Sequence, residues 1–261
     1  MLSGKKIITF VFMIKLAIVG TGNLAYRLYS ALISKEEIAI VGVLGRSDSA
    51  LEDFDQVLTT TDPLALPEAQ LTLIAVSDDA IQEVAAKLNS QHGLLAHTSG
   101  AQSIKAIKNQ RRGVCYPLQT FSKTREVNFE EIPFCIEAES EQDLELLQQF
   151  SSVLSNKVNK LNSKDRKYLH LAAVYVNNFV NQLYQTAHEI LEEQELPFEL
   201  LLPLISETAA KVQGNLPADI QTGPAKRQDK GIIKQHLKIQ NADRQKLYKL
   251  LTKAIKQSQN R

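Results

Sequence analysis

A glycine-containing turn near the start of the chain constrains its fold more than any other feature. Gly20, Gly22 and Ala25 form the pattern G-x-G-x-x-A. The turn follows Leu16 to Val19, an apolar, partly β-branched run that is typical of a buried parallel strand. It precedes residues 23–34, whose apolar side chains recur at helical spacing. A strand, a glycine turn and a helix in this order predict the start of a dinucleotide-binding βαβ unit.

The chemistry of such a turn is the binding of a pyrophosphate. The first glycine permits a tight turn, the second lets the backbone approach the phosphates, and the small third residue lets the helix pack against the strand. The first N–H groups of a helix also lack intrahelical partners and carry partial positive charge. We therefore predict phosphate contacts from Gly20, Thr21, Gly22, Asn23 and Leu24. The alternative is a glycine-rich turn that holds no ligand.

The end of the second predicted strand, Ile38 to Leu44, bears on the choice of cofactor. An NAD site usually has Asp or Glu here, on the ribose 2′-hydroxyl. This chain has Arg46 and Ser47 instead, which suit a 2′-phosphate because arginine pairs bidentately with phosphate oxygens. The pattern favours NADP over NAD, although Asp48 follows closely. The alternative is an exposed loop arginine.

Two further strand ends carry polar side chains, in the stretches Val76-Ser77-Asp78-Asp79 and His97-Thr98-Ser99-Gly100. Ligands of open α/β sheets bind at the carboxyl ends of the strands. We expect the nicotinamide side of the site to be lined by Val76, Ser77, Thr98 and Ser99. For Asp78 and Asp79 the pattern favours helix capping over catalysis. His97 suits either catalysis or hydrogen bonding to the backbone.

Strands alternate with helices up to about residue 162, and the chain is helical from there on. The predicted strands continue with 71–76, 94–96, 114–116, 133–136 and 158–161, and the predicted helices with 79–88, 102–109 and 141–155. Ser163 then caps one long helix that runs to Glu193, and further helices cover 198–212 and 241–256. This order predicts a doubly wound, mostly parallel sheet over residues 13–162 and a smaller all-α domain over 163–261. We interpret residues 1–12 as an extension or a start assigned too early.

The long helix carries an unusual polar cluster. Helical spacing places His170, Asn177 and Asn181 near one face, with Asn178 beside them. Asparagine is a poor helix former, and buried amides destabilise unless they are hydrogen-bonded. We predict a substrate-side wall in which His170 is a general acid, because imidazole titrates near neutrality, and Asn178 orients the substrate. The alternative is an interior polar network.

A second loop, Gly223 to Asp229, adds a candidate anion contact. Its Gly-Pro pair fixes a turn before a new helix, which Asp229 is placed to cap. Arg227 then suits an anionic substrate or cofactor group. The alternative is a surface loop with ordinary charges.

Charge and cysteine content exclude several classes of protein. The chain has 30 Lys and Arg against 29 Asp and Glu, a net charge of +1, which does not favour nucleic-acid binding. Its two cysteines are too few for a disulfide scaffold and lack CxxC spacing for a metal site. The apolar stretch at the N-terminus is shorter than the roughly 20 residues that span a membrane. These observations favour a cytoplasmic protein.

Several segments together resemble a bacterial family that joins a Rossmann-like domain to a C-terminal domain of unknown function, DUF2520. They are residues 13–25, 76–81, 97–101, 116–121, 170–179 and 223–229. The layout is also similar to pyrroline-5-carboxylate reductase, ketopantoate reductase and the β-hydroxyacid dehydrogenases. That resemblance implies NAD(P) on the first domain, a small-molecule substrate on the helical domain, and a homodimer. The dehydrogenases carry a catalytic lysine with an asparagine one turn later, where this chain has His170 and Val174.

The sequence thus favours an NADP-dependent oxidoreductase. It would transfer hydride between nicotinamide and a small carbonyl, imine or hydroxyacid substrate. A rival hypothesis is a non-catalytic NADP-binding sensor or scaffold whose helical domain forms a dimer interface. A nucleotide-sugar or flavin in the same glycine turn is a third hypothesis.

Overall fold

A computed structural model describes residues 13–258, so the predicted N-terminal extension, residues 1–12, lies outside the described part. Within that part, eight strands form one sheet. They are β1 (Ile14–Val19), β2 (Ile38–Leu44), β3 (Thr59–Thr60), β4 (Leu71–Ile74), β5 (Leu94–His97), β6 (Arg112–Pro117), β7 (Phe134–Ala138) and β8 (Val158–Lys160).

The strand order is β3-β2-β1-β4-β5-β6-β7-β8. All neighbouring strands run parallel except β6 and β7, which are antiparallel. This confirms the predicted mostly parallel sheet. The chain order reverses between β1 and β4, and open α/β sheets bind their ligands at such a switch point.

Helices cover both faces of the sheet. Helices α1 (Asn23–Leu32) and α3 (Glu141–Leu154) pack on one face and α2 (Ile81–Ala86) on the other, and α4 (Ser163–Val174) follows β8. Alternate residues of β1 serve the two faces: Leu16 belongs to a core cluster with Leu28 and Phe150, whereas Ala17 belongs to another with Ile81. This two-sided burial explains why β1 is a continuous apolar run.

Local hydrogen bonds correct three predictions. The predicted helix 102–109 is only a 3₁₀ turn, Ile104–Ala106. Ser77, and neither Asp78 nor Asp79, is the N-cap residue of the turn that precedes α2, and no side-chain bond caps it. Helix α4 is capped by Asn162, which accepts the N–H of Asp165, and not by Ser163.

The chain divides into two compact units after Val176, which leaves α4 with the sheet. The predicted long helix continues through a π-helical turn, Tyr175–Phe179, into α5 (Val180–Glu192). The second unit also contains α6 (Leu202–Lys211), α7 (Lys230–Lys238) and α8 (Ala242–Ser258). The predicted helices near 198–212 and 241–256 are confirmed.

Between residues 177 and 258, which the structure describes in the second unit, Ala225 is the one apolar residue that is buried. None of α5, α6, α7 and α8 contains a buried residue. Large apolar side chains are exposed along them instead, among them Leu183, Ile190, Leu204, Leu250 and Ile239, the last with 82% of its surface exposed. Across residues 13–258, no helix combines the length and apolar character that crossing a membrane requires.

Candidate functional site

A cavity of about 750 Å³ opens at the carboxyl ends of β1, β2, β4 and β5, where the strand order reverses. Eight of the residues predicted to bind the cofactor line it: Gly20, Gly22, Asn23, Leu24, Arg46, Val76, Ser77 and Thr98. The cavity lies entirely within the first unit. The switch point therefore brings together side chains from four separate strand ends.

The glycine turn has the backbone that its pattern requires. Gly20 adopts φ +116°, and a Cβ there would lie 2.3 Å from the carbonyl oxygen of Ala75. Gly22 is the N-cap residue of α1, and no side chain caps the helix. A Cβ on Gly22 would meet no atom within 4 Å. The helix N-terminus is therefore open on this side, as pyrophosphate binding requires.

The charge of the cavity wall is positive. Arg46 and Lys87 are its charged lining residues, and no carboxylate is among them. Lys87 lies at the end of α2, and its Nζ is 2.7 Å from Glu83 Oε1. Sequence reasoning missed Lys87 and Thr61 because neither belongs to a phosphate-binding motif. The pair between Lys87 and Glu83 is exposed and therefore weak, so both lining cations are available to a phosphate group.

Three residues predicted for the cofactor do not line the cavity: Thr21, Ser47 and Ser99. Ser99 Oγ accepts the N–H of Ala101 at 3.1 Å, so this hydroxyl stabilises the turn after β5. Ser47 Oγ lies 3.2 Å from Ser49 Oγ. These hydroxyls serve local turns.

Helix α1 also holds the loop that follows β6. Asn23 Nδ2 donates to the carbonyl of Phe121 at 3.0 Å. Arg27, which is buried, donates to the carbonyls of Ser122 at 2.7 Å and Lys123 at 2.8 Å. Arg27 was missed because helical periodicity alone gives it no partner. The glycine turn and the loop are thus joined through one helix.

His97 is hydrogen-bonded to backbone through both ring nitrogens. Its Nε2 lies 3.2 Å from the carbonyl oxygen of Ser103, and its Nδ1 accepts the N–H of Ser99 at 3.2 Å. Burial, reinforced by the nearby Arg166 cation, lowers the pKa of His97 to about 4. The ring is therefore neutral at pH 7, and of the two interpretations left open the backbone one fits.

A second histidine at this edge has a side-chain partner. His170 Nδ1 lies 3.1 Å from Tyr116 Oη, and the two rings meet edge to face with centroids 5.9 Å apart. Burial, with smaller contributions from Cys135 and Asp78, raises the pKa of Tyr116 to about 12. Sequence reasoning had singled out His170 but assigned Tyr116 no role.

Helix α4 is fixed to the sheet by a buried ion pair. Arg166 is fully buried and donates through Nη1 to Glu137 Oε2 on β7. Its Nη2 donates to the carbonyl of Gln102 at 2.6 Å, and Ser163 Oγ donates to the same Glu137 oxygen at 2.7 Å. This network holds the helix that carries His170 against the sheet.

The remaining predicted substrate residues belong to the second unit. Asn177 and Asn178 lie in the π-helical turn and Asn181 in the first turn of α5, and all three are exposed. A π turn departs from 3.6 residues per turn, so the spacing argument does not extend from His170 across it. Arg227 is exposed in the loop before α7. Asp229 caps α7 as predicted, accepting the N–H of Ile232.

Comparisons with known proteins agree with this fold. Residues 132–255 match the domain of unknown function DUF2520. A Bacteroides fragilis protein, to which NADP oxidoreductase activity is ascribed, is 38% identical, with 95% of this chain and 99% of that chain covered and a TM-score of 0.85. No protein of curated function matches the sequence.

More distant structures share the fold. A Thermotoga maritima protein is 24% identical, with 94% of this chain and 98% of that chain covered and a TM-score of 0.72. The reductive aminase of Aspergillus terreus, solved with NADPH and ethyl levulinate, is 13% identical, with 94% of both chains covered and a TM-score of 0.70. The chain therefore belongs to the family of Rossmann-type proteins with a C-terminal DUF2520 domain, as the resemblance in its sequence predicted.

Proposed function

We propose that the protein is an NADP-dependent oxidoreductase that transfers hydride between nicotinamide and a small carbonyl, imine or hydroxyacid substrate. The observation that carries the proposal is the cavity at the switch point, where the glycine turn and two cations meet Ser77 and Thr98. The activity ascribed to the Bacteroides fragilis relative and the NADPH held by the Aspergillus terreus enzyme support it.

The residues of the cavity suit a dinucleotide that carries a 2′-phosphate. The open N-terminus of α1 would hold the pyrophosphate. Arg46 would pair with the 2′-phosphate, Lys87 would add a second positive charge, and Ser77, Thr98 and Val76 would line the nicotinamide side. NADPH, when bound, supplies the hydride, whereas the protein supplies orientation and electrostatics.

The proton that reaches the substrate heteroatom would originate from His170, whose Nδ1 lies 3.1 Å from the Tyr116 hydroxyl. A role for Asn178 in orienting the substrate stays a prediction, as do substrate contacts from Asn177, Asn181 and Arg227. A cytoplasmic location also stays a prediction.

We also propose that the second unit mediates homodimerisation. Its exposed large apolar side chains would be covered by a second copy, because large exposed apolar patches mark interaction sites. Light scattering should give twice the monomer mass of 29.1 kDa. Ile239→Glu should weaken the dimer, whereas Lys238→Glu, on the neighbouring exposed residue, should not. A wild-type monomer would overturn this proposal.

Isothermal titration with NADPH and NADH tests the cofactor assignment. An arginine–phosphate interaction contributes about 1.5–3 kcal/mol, so Arg46→Ala should weaken NADPH binding by about 10- to 150-fold. Its affinity for NADH should stay unchanged, since NADH has no 2′-phosphate. Lys108→Ala is the matched control, because it removes one exposed positive charge that does not line the cavity.

The outcomes separate the competing functions. Failure to bind either dinucleotide would refute the oxidoreductase proposal. Tight NADPH binding, without NADPH oxidation by any of a panel of keto acids, aldehydes and imines, would favour the sensor or scaffold. Equal loss of NADPH and NADH affinity in Arg46→Ala would refute the role of Arg46 in recognising the 2′-phosphate.

A further inference from the structure

Three segments of the chain pack closely together at the contact between Tyr116 and His170. Tyr116 lies near the end of β6 and His170 on α4, 54 residues apart in sequence, with 3.1 Å between Oη and Nδ1. Gly100, in the turn after β5, faces both rings. A Cβ on Gly100 would lie 2.6 Å from His170 Nδ1 and 2.7 Å from Tyr116 Cζ. Any larger residue at position 100 would therefore force these rings to move.

This pair lies at the edge of the sheet that holds the cofactor cavity. Gly100 follows two residues after Thr98, which lines the cavity. Asp78, next to the cavity residue Ser77, is close enough to Tyr116 to act on its phenol electrostatically. A substrate that meets nicotinamide at Ser77 and Thr98 would therefore have the Tyr116 hydroxyl nearby.

We propose that Tyr116 is the catalytic residue that protonates the substrate and that His170 replaces the proton through their hydrogen bond. This inference rests on the proposed oxidoreductase function. The substrate carbon accepts the hydride from NADPH, and the π electron pair of the C=N or C=O bond moves to the heteroatom. That heteroatom takes the Tyr116 O–H proton, and the Nδ1–H of protonated His170 passes to the phenol oxygen. NADP⁺, the reduced substrate and a neutral His170 remain, and His170 regains its charge by taking up one solvent proton.

The environment explains why the phenol needs a partner. Burial disfavours the phenolate and raises the pKa of Tyr116, and Cys135 and Asp78 act in the same direction. Arg166 acts in the opposite direction, but its guanidinium is engaged by Glu137. If Tyr116 lost its proton and received none from His170, an unfavourable buried phenolate would remain. Replacement from Nδ1 of His170 avoids that charge.

The test uses three variants: Tyr116→Phe, His170→Gln and the double variant. Tyr116→Phe keeps the ring and removes the acidic group, so kcat for NADPH oxidation should fall about 100-fold while NADPH affinity is unchanged. The solvent deuterium isotope effect on kcat should rise, which a merely structural role would not produce. Because the two residues act as one unit, kcat of the double variant should be no lower than kcat of the more impaired single variant.

The chain provides a matched control in a second Tyr–His pair. Tyr248 Oη lies 2.9 Å from His236 Nδ1, with the rings again edge to face. Tyr248→Phe removes the same kind of hydrogen bond outside the cavity wall and should leave kcat unchanged. A Tyr116→Phe enzyme with wild-type kcat, or single losses that multiply in the double variant, would overturn the inference alone. If none of the panel substrates supports NADPH oxidation by the wild-type protein, the proposed function is overturned, and the inference with it.

Discussion

Acidification from pH 7 to pH 5 should destabilise the protein through His97. The folded state holds this ring neutral, because it is buried, lies near the Arg166 cation and accepts the Ser99 N–H at Nδ1. Its pKa is about 4 in the folded protein against 6.5 for an unperturbed histidine. The unfolded chain therefore binds a proton first as the pH falls. The stabilisation is complete above about pH 6.5 and is lost progressively down to about pH 4.

The size of the effect follows from the two pKa values. One pKa unit corresponds to about 1.4 kcal/mol, so the complete loss at low pH is about 3 kcal/mol. Between pH 7 and pH 5, linkage gives a loss of about 2 kcal/mol. This interval lies above the range in which most carboxylates titrate, so His97 should contribute strongly to it.

Urea unfolding at the two pH values measures the effect. His97→Gln keeps an amide N–H that can donate to the Ser103 carbonyl but does not titrate. We expect this variant to be less stable than wild type at pH 7, yet to lose about 2 kcal/mol less on going to pH 5. His188→Gln, on an exposed histidine, should follow wild type. Equal losses in wild type and His97→Gln would refute the argument.

Three further substitutions test the site and its support. Gly100→Ala should lower kcat with NADPH affinity retained, since its Cβ would force apart two rings now within 2.7 Å of it; steady-state kinetics and titration check this. Gly20→Ala would place a methyl group 2.3 Å from the Ala75 carbonyl oxygen at a φ that costs about 1–3 kcal/mol. Thermal shifts should show lower stability and no stabilisation by NADPH. Glu137→Gln removes the charge that pairs with buried Arg166 and should cost about 3–5 kcal/mol in urea unfolding; a loss under about 1 kcal/mol would contradict the burial argument.

The sequence predicted those parts of the fold that depend on local patterns. The strand, glycine turn and helix at residues 16–32 could be predicted because each has its own local pattern: an apolar run, a glycine motif and helical spacing. The predicted helix 102–109 failed for a tertiary reason: the Ile104 N–H donates to Ser163 Oγ, 59 residues away. Strand β3 has only two residues, Thr59 and Thr60, which is too short for a pattern. The antiparallel direction of β7 is likewise not encoded in an apolar run.

The candidate site divides in the same way. Gly20, Gly22 and Arg46 were predicted because a motif and a strand end place them together. Tyr116 was not, because its partner lies 54 residues further along the chain. Arg27 acts through carbonyl groups 95 and 96 residues away. Contacts between residues so far apart in sequence cannot be predicted from the spacing of residue types in a single sequence.

The ion pair between Arg166 and Glu137 limits where the chain can be cut into fragments or recombined. A fragment ending at residue 162 would leave Glu137 without its cation. The smallest independent sheet domain should therefore extend through Val174, the end of α4. The matched family segment begins at Ile132, ahead of β7, and so contains both partners. Recombination that moved the helices alone would separate a buried charge from its counterion, which gives a physical reason for β7 and α4 to be inherited together.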